Sequence, residues 1–129
     1  MSAKVLLVDD EKDFLDIMAE RMQARGMDIS TATSAREALE IVQTEPFDAV
    51  IMDFLMPEMD GFKALKLFKE TQPGLEIILL TGNVGEEERL EAKKLGALDV
   101  IEKPADLNLL TRKIEEAKNR KGKKLTNDD

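Results

Sequence analysis

The chain has 129 residues, 43% of them hydrophobic, with nineteen basic against twenty-seven acidic residues and a formal charge of -8. That length supports one core of two or three layers, so one domain is expected, and the acidic balance argues against direct nucleic-acid binding because it repels phosphate backbones. Cysteine and histidine are both absent, which excludes disulfides, thiolate metal sites and Ser-His-Asp or Cys-His catalysis and leaves carboxylates, backbone oxygens and water as ligands for a hard cation such as magnesium or calcium.

Residues 1–4 run straight into an apolar stretch and carry no features of a secretory signal. No apolar segment approaches the ~20 residues that span a bilayer, so a cytoplasmic protein without membrane contact is expected. Residues 5–8 form the first predicted strand. A helix follows with a stripe of Phe14, Ile17, Met18 and Met22. Residues 27–32 alternate, with Met27, Ile29 and Thr31 against Asp28, Ser30 and Ala32, as a half-covered edge strand does. The second helix carries Ala35, Ala38, Leu39 and Val42 and opens on Ser34 to Glu37, a capping box, which Asp10 to Asp13 also resembles.

Residues 49–52 are the third strand, and Phe62, Leu65 and Phe68 mark the third helix. Pro73-Gly74 separates that helix from a fourth strand at residues 77–80. The fourth helix, roughly 86–95, has a poor apolar stripe behind Glu86, Glu87 and Glu88. Residues 98–101 form a weaker fifth strand broken by Asp99, and Leu107, Leu110, Ile114 and Ala117 line the last helix. Gly26 and Gly96 stand where helix C-caps belong. From Lys118 the stripe fades, so a domain over 1–120 and a flexible tail or linker remnant over 121–129 are expected.

Apart from the edge strand, the apolar runs are nearly continuous, which predicts parallel strands covered on both faces. Strict β-α alternation implies right-handed crossovers and helices on both sides of the sheet. Ligands in such sheets bind beyond the carboxyl ends of the strands. At those ends stand Asp9 and Asp10, Asp53, Thr81, and Lys103 followed by Pro104.

Each has a plain structural role open to it: Asp10 as a helix cap, Asp53 as a turn residue, Thr81 as a strand end, Lys103 as a solvated lysine. Met56 and Met59 read as core filling. Together, however, clustered carboxylates require a cation or a raised pKa, and a carboxylate can attack a phosphoryl group whose oxygens a metal, an ammonium and a hydroxyl neutralise.

Asp9-Asp10, the segment DFLMPEMDG at residues 53–61, Thr81 followed by a small residue, and Lys103-Pro104 resemble the receiver domain of two-component response regulators, of the chemotaxis-Y-like kind, over about residues 4–118. The resemblance implies an α/β, flavodoxin-like doubly wound fold: a five-stranded parallel sheet of order 2-1-3-4-5 flanked by five helices. It implies that Asp53 is the phosphoacceptor, that Asp10 and Asp53 ligate magnesium directly, and that Asp9 acts through a bound water and Leu55 through its main-chain carbonyl. Lys103 is similar to the lysine that pairs with a phosphoryl oxygen, and Thr81 to the hydroxyl residue that moves toward it. By the same resemblance the Lys103-Pro104 bond is cis.

The implied donor is phosphohistidine on a histidine kinase or histidine phosphotransfer protein, since the chain has no histidine of its own. The implied output is a changed surface around the fourth helix, fifth strand and fifth helix, read by a downstream protein or domain. Such a chain catalyses its own phosphorylation and dephosphorylation without turning over an external substrate. Three departures from the family pattern stand out. Val100 replaces the usual aromatic switch residue; Gly82 follows Thr81 where alanine is common, which loosens the loop; and Leu55 and Asn83 occupy positions that tune hydrolysis. Leucine cannot hydrogen-bond an attacking water, so a long-lived phosphorylated state is expected.

Val100 supports a second reading, a receiver-like interaction module that signals without phosphorylation. Two enzyme readings fit less well. A haloacid-dehalogenase-like phosphatase needs a D-x-D pattern where Asp9-Asp10-Glu11 stands, and a flavodoxin-like cofactor domain needs a phosphate-cradling turn there. A stand-alone receiver and one cut from a longer protein are both compatible with the sequence.

Overall fold

The apolar runs pair in parallel register, and the helical stretches carry the chain back between them. The computed structural model describes residues 3–57, 59–82 and 85–127, with side chains up to residue 120. In chain order the elements are β1 (Lys4–Val8), α1 (Lys12–Ala24), β2 (Asp28–Ala32), α2 (Ala35–Thr44), β3 (Ala49–Asp53), β4 (Leu55–Met56), β5 (Met59–Asp60), α3 (Gly61–Thr71), β6 (Ile77–Thr81), α4 (Glu86–Lys94), β7 (Asp99–Glu102) and α5 (Leu107–Asn127). Five strands form one sheet of order β2-β1-β3-β6-β7, all parallel, which is the expected order of the five long strands. The two-residue pair β4-β5 in the loop after β3 was not signalled by periodicity.

Successive strand residues point to opposite faces of the sheet. Leu6, Val8, Val50, Met52, Ile77 and Leu79 meet α2 and α3 through Val42, Leu65 and Phe68. Val5, Leu7, Ile51, Ile78 and Leu80 meet α1 and α5 through Leu15, Met22, Leu110 and Ile114. With both faces covered, β3 and β6 have no solvent face to keep polar. The edge strand departs from its predicted alternation: Thr31 is exposed and Ala32 is buried beside α2, where the chain turns into that helix.

The local signals act largely as read. Ser34 Oγ accepts from the Glu37 amide at 3.1 Å, while the Glu37 carboxylate takes the Thr33 amide at 2.8 Å, one residue earlier than in an ideal capping box. Gly26 and Gly96 adopt φ of 92° and 108°. Behind them Met27 N and Ala97 N bond back to Met22 O and Ala92 O, closing both helices with Schellman motifs. Asp10 to Asp13 does not form a box. Glu11 is the N-cap of α1 without a side-chain bond, and Asp9 Oδ1 accepts the Glu11 amide at 2.9 Å, leaving Asp10 out of the cap.

The last helix continues to Asn127, past the point where its stripe fades. Among the described residues the buried polar and charged ones are Asp9, Asp53, Thr81 and Glu76. Glu76, just before β6, meets Arg120 of α5 at 3.4 Å. The other three lie at carboxyl ends of strands. Among the described residues no helix is long and apolar enough to cross a membrane.

Candidate functional site

Parallel register brings the carboxyl ends of the strands to one edge. Val8 lies beside Met52 and Thr81 beside Glu102, so Asp9 follows level with Asp53, and Lys103 follows next to Thr81. The chain also reverses its direction of winding here, with β2 on one side of β1 and β3 on the other. Carboxylate oxygens of Asp9, Asp10 and Asp53 all lie within 4.8 Å of one another, the first and last buried and Asp10 exposed. Lys103 Nζ donates to Asp9 Oδ2 at 2.9 Å and to Asp53 Oδ2 at 3.4 Å. Its main chain is fixed too: Lys103 N donates to Thr81 O at 2.7 Å, and the bond to Pro104 is cis.

Asp53 ends β3, and its Oδ1 accepts the Leu55 amide at 3.1 Å, which aims the carboxylate into the cleft. The loop beyond is tight. A Cβ on Gly61 would stand 2.3 Å from Phe54 Cδ1 and 2.7 Å from the Phe54 carbonyl oxygen, so only glycine fits. Asp60 caps α3 by accepting the Lys63 amide at 2.9 Å. Asp9 and Asp53 also border a small cavity whose other lining residues, among them Phe14, Leu15, Met18 and Leu80, are apolar.

Two of the three clustered carboxylates, Asp9 and Asp53, therefore share one ammonium, and Asp10 stands beside them. Burial pushes the Asp53 carboxyl above the usual aspartate range, and the nearby Asp9 charge adds to this; the Leu55 amide and Lys103 oppose it without prevailing. Burial acts to lower the Lys103 pKa, but its hydrogen bond to Asp9 and the charges of Asp53 and Asp9 raise it overall. Thr81 Oγ1 is fully buried and has no hydrogen-bond partner among the described residues. An acidic cluster with oxygen ligands only, one ligand open to solvent and too little positive charge of its own, fits a hard divalent cation.

The family profile described as the response regulator receiver domain matches residues 5–115. The chain belongs to the response regulator receiver family. Transcriptional regulatory protein ZraR of Escherichia coli is 36% identical to this receiver over 113 residues, which cover 88% of this chain and 26% of the relative. Response regulator SaeR of Staphylococcus epidermidis is 37% identical over 100 residues, 78% of this chain and 43% of the relative. This chain thus spans less than half the length of either relative. A receiver domain protein of Clostridium thermocellum superposes with a TM-score of 0.87 at 33% identity, covering 93% of this chain and 97% of that one. A CheY-like receiver domain protein from Methanospirillum hungatei superposes with a TM-score of 0.88 at 27% identity, covering 96% and 99%.

In this receiver the fold brings Asp9, Asp10, Asp53 and Lys103 together, with Thr81 on the adjoining strand. Leu55 stands at the rim, 65% exposed. Among the described residues nothing stands within 4 Å of where a Cβ on Gly82 would sit. Val100 is buried in the core on β7, and Pro104 is exposed. Asn83 lies outside the described residues. Met56 is buried and Met59 packs against the same cluster, which makes the pair core filling as read.

Two features escaped the sequence. Phe14, read as part of a helix stripe, holds its ring 4.4 Å from Lys103 Nζ. Asp99, read as a flaw in a strand, gathers Lys113 at 3.0 Å and Arg89 and Lys93 at 3.6 Å each. Neither contact has a local signal, because each joins residues that only the fold makes neighbours.

Proposed function

We infer that this receiver takes a phosphoryl group from a phosphohistidine donor onto Asp53, with magnesium at the acidic cluster, and that the modification switches a protein-interaction surface. The observation that carries the reading is the crowding of three carboxylates within 4.8 Å of one another, with a single ammonium that pairs with two of them, Asp9 and Asp53. Such a cluster is relieved by a divalent cation. Asp10 and Asp53 would hold it directly, Asp9 through a water, and Leu55 through its carbonyl oxygen. Magnesium bound there supplies positive charge against the oxygens of the transferring group.

The chain's own residues do the rest. An Asp53 carboxylate oxygen attacks phosphorus and the new O–P bond forms as the P–N bond breaks. The electron pair stays on the imidazole, which takes a proton from solvent, and the product is an acyl phosphate. Lys103, already 3.4 Å from Asp53, neutralises a phosphoryl oxygen. Thr81 Oγ1 gains an acceptor that it lacks among the described residues of the unmodified protein, where an unsatisfied buried hydroxyl costs about 1–3 kcal/mol.

The responsive surface is that of α4, β7 and α5. Ala92 is the residue that α4 buries, so this helix belongs to the weakly held part of the fold, from which switching elements are drawn. The partners are a histidine kinase or histidine phosphotransfer protein as donor and a downstream protein or output domain as reader. A domain of charge -8 makes no direct nucleic-acid contact in this scheme. Residues 1–120 act as the receiver, in the cytoplasm, and 121–129 as a tail or linker remnant.

Mass spectrometry after incubation with acetyl phosphate and magnesium tests the assignment. The wild type is expected to gain one phosphoryl group and Asp53→Ala none. No gain in the wild type, or gain that survives Asp53→Ala, overturns it in favour of an interaction module that works unphosphorylated. In the same assay Leu55→Asn, whose amide can hold an attacking water, is expected to shorten the life of the acyl phosphate.

A further inference from the structure

We propose that Phe14 is a positioning residue for phosphoryl transfer, its ring holding the Lys103 ammonium at the wall of the cleft when a divalent cation occupies the carboxylates. The proposal rests on the reading of Asp53 as phosphoacceptor. Lys103 Nζ lies 4.4 Å from the centre of the Phe14 ring, well inside the ~6 Å reach of a cation–π contact. The lysine side chain is 21% exposed, and partial desolvation is the setting in which such contacts are strongest.

Among the described residues the other partners of this ammonium are Asp9 Oδ2 and Asp53 Oδ2. Both belong to carboxylates of the acidic cluster. A divalent cation and an ammonium compete for those oxygens and repel each other. The aromatic face carries no charge and offers the cation no ligand atom, so it is the contact that survives the competition. Without it, a long and flexible lysine stem leaves the ammonium free to swing into solvent.

The ring itself is well anchored. Phe14 packs against the core cluster of α1, α5 and the inner strands. Its helix is preceded by the N-cap Glu11, whose amide is held by Asp9 Oδ1 at 2.9 Å. One short segment therefore sets the places of Asp9, Asp10 and the ring together. Leucine at this position would fill much of the space but has no π face to attract a cation.

The test uses the full chain with Phe14→Leu and Phe14→Tyr, acetyl phosphate as donor and magnesium as the metal. Phe14→Leu is expected to slow phosphorylation at saturating magnesium by about threefold to thirtyfold, and Phe14→Tyr to restore the wild-type rate. A second readout needs no donor and no variant. In the wild type the Lys103 ε-methylene protons should show an upfield ring-current shift by NMR, kept when magnesium is added. A leucine variant as fast as wild type, or a shift that vanishes with magnesium, overturns the role of Phe14. A wild type that takes up no phosphoryl group overturns the reading of Asp53 instead, and the NMR signal still decides whether the ring holds the ammonium.

Discussion

Asp53 and Asp99 stand in opposite electrostatic company. In the cleft, Asp53 shares Lys103 with Asp9, and Asp10 lies close by. Beside β7, Asp99 has Lys113 at 3.0 Å and Arg89 and Lys93 at 3.6 Å. Burial acts to raise both carboxyl pKa values. At Asp53 it prevails; at Asp99 the Lys113 hydrogen bond, the Val100 amide and the charges of Lys113 and Lys93 outweigh it and hold the carboxyl below the usual range. The positive charges gathered at Asp99, which Asp53 lacks, thus mark a site short of positive charge off from a tie already complete. That tie also fastens α4, because Arg89 donates to the Val100 carbonyl as well, whereas α3 is held by Ala64, Leu65 and Phe68 in the core.

The largest expected effect breaks the completed tie. Asp99→Ala strips three cations of their shared partner and is expected to lower stability by about 2 kcal/mol in urea unfolding, with amide exchange quickening in α4 more than in α3. A loss under about 0.5 kcal/mol would show that the ion cluster does not hold α4. Next, magnesium at ten times its dissociation constant is expected to stabilise the wild type by about 1.4 kcal/mol through mass action. Asp99→Ala should keep that gain, and a protein carrying both Asp10→Asn and Asp53→Asn should lose it.

Thr81→Val keeps the shape and removes a hydroxyl that lacks a partner among the described residues, so the metal-free protein should gain about 1 kcal/mol in thermal unfolding. A clear loss instead would mean that the hydroxyl has a partner after all. The smallest effect lies in the pH dependence of the metal-free protein. With its folded pKa raised, Asp53 binds its proton more tightly in the native state. Stability therefore falls as pH rises from the ordinary value of 3.8 through the raised folded value, and Asp53→Asn should flatten that slope and be the more stable at neutral pH. Asp99 has the opposite sign. Its contribution is present above 3.8 and is lost as pH falls below that through the lowered folded value. Urea midpoints of wild type, Asp53→Asn and Asp99→Asn across the acid range would separate the two slopes.

Much of the fold was legible because its causes are local. Runs such as Val5 to Val8 and Ile77 to Leu80 could be read as buried strands, since covering both faces leaves no polar alternation. Ser34, Gly26 and Gly96 announce helix ends through bonds that span a few residues. The poor stripe of α4 was equally visible and agrees with the little that helix buries. Asp10 misled, because its neighbour Asp9 holds the Glu11 amide and no local rule chooses between adjacent aspartates.

By itself, the sequence determined the α/β alternation, the absence of any nucleophile built on cysteine or histidine, and the acidic, hydroxyl and lysine residues that stand where strands end. Those follow from composition and from periods of two and 3.6 residues. Tertiary structure alone decided that Lys103 bridges Asp9 and Asp53 over the Phe14 ring, that the Thr81 hydroxyl is buried without a partner among the described residues, and that Asp99 draws α4 and α5 together. Each is a contact between distant stretches of chain, and strand register and helix placement, not neighbouring residues, set its distance.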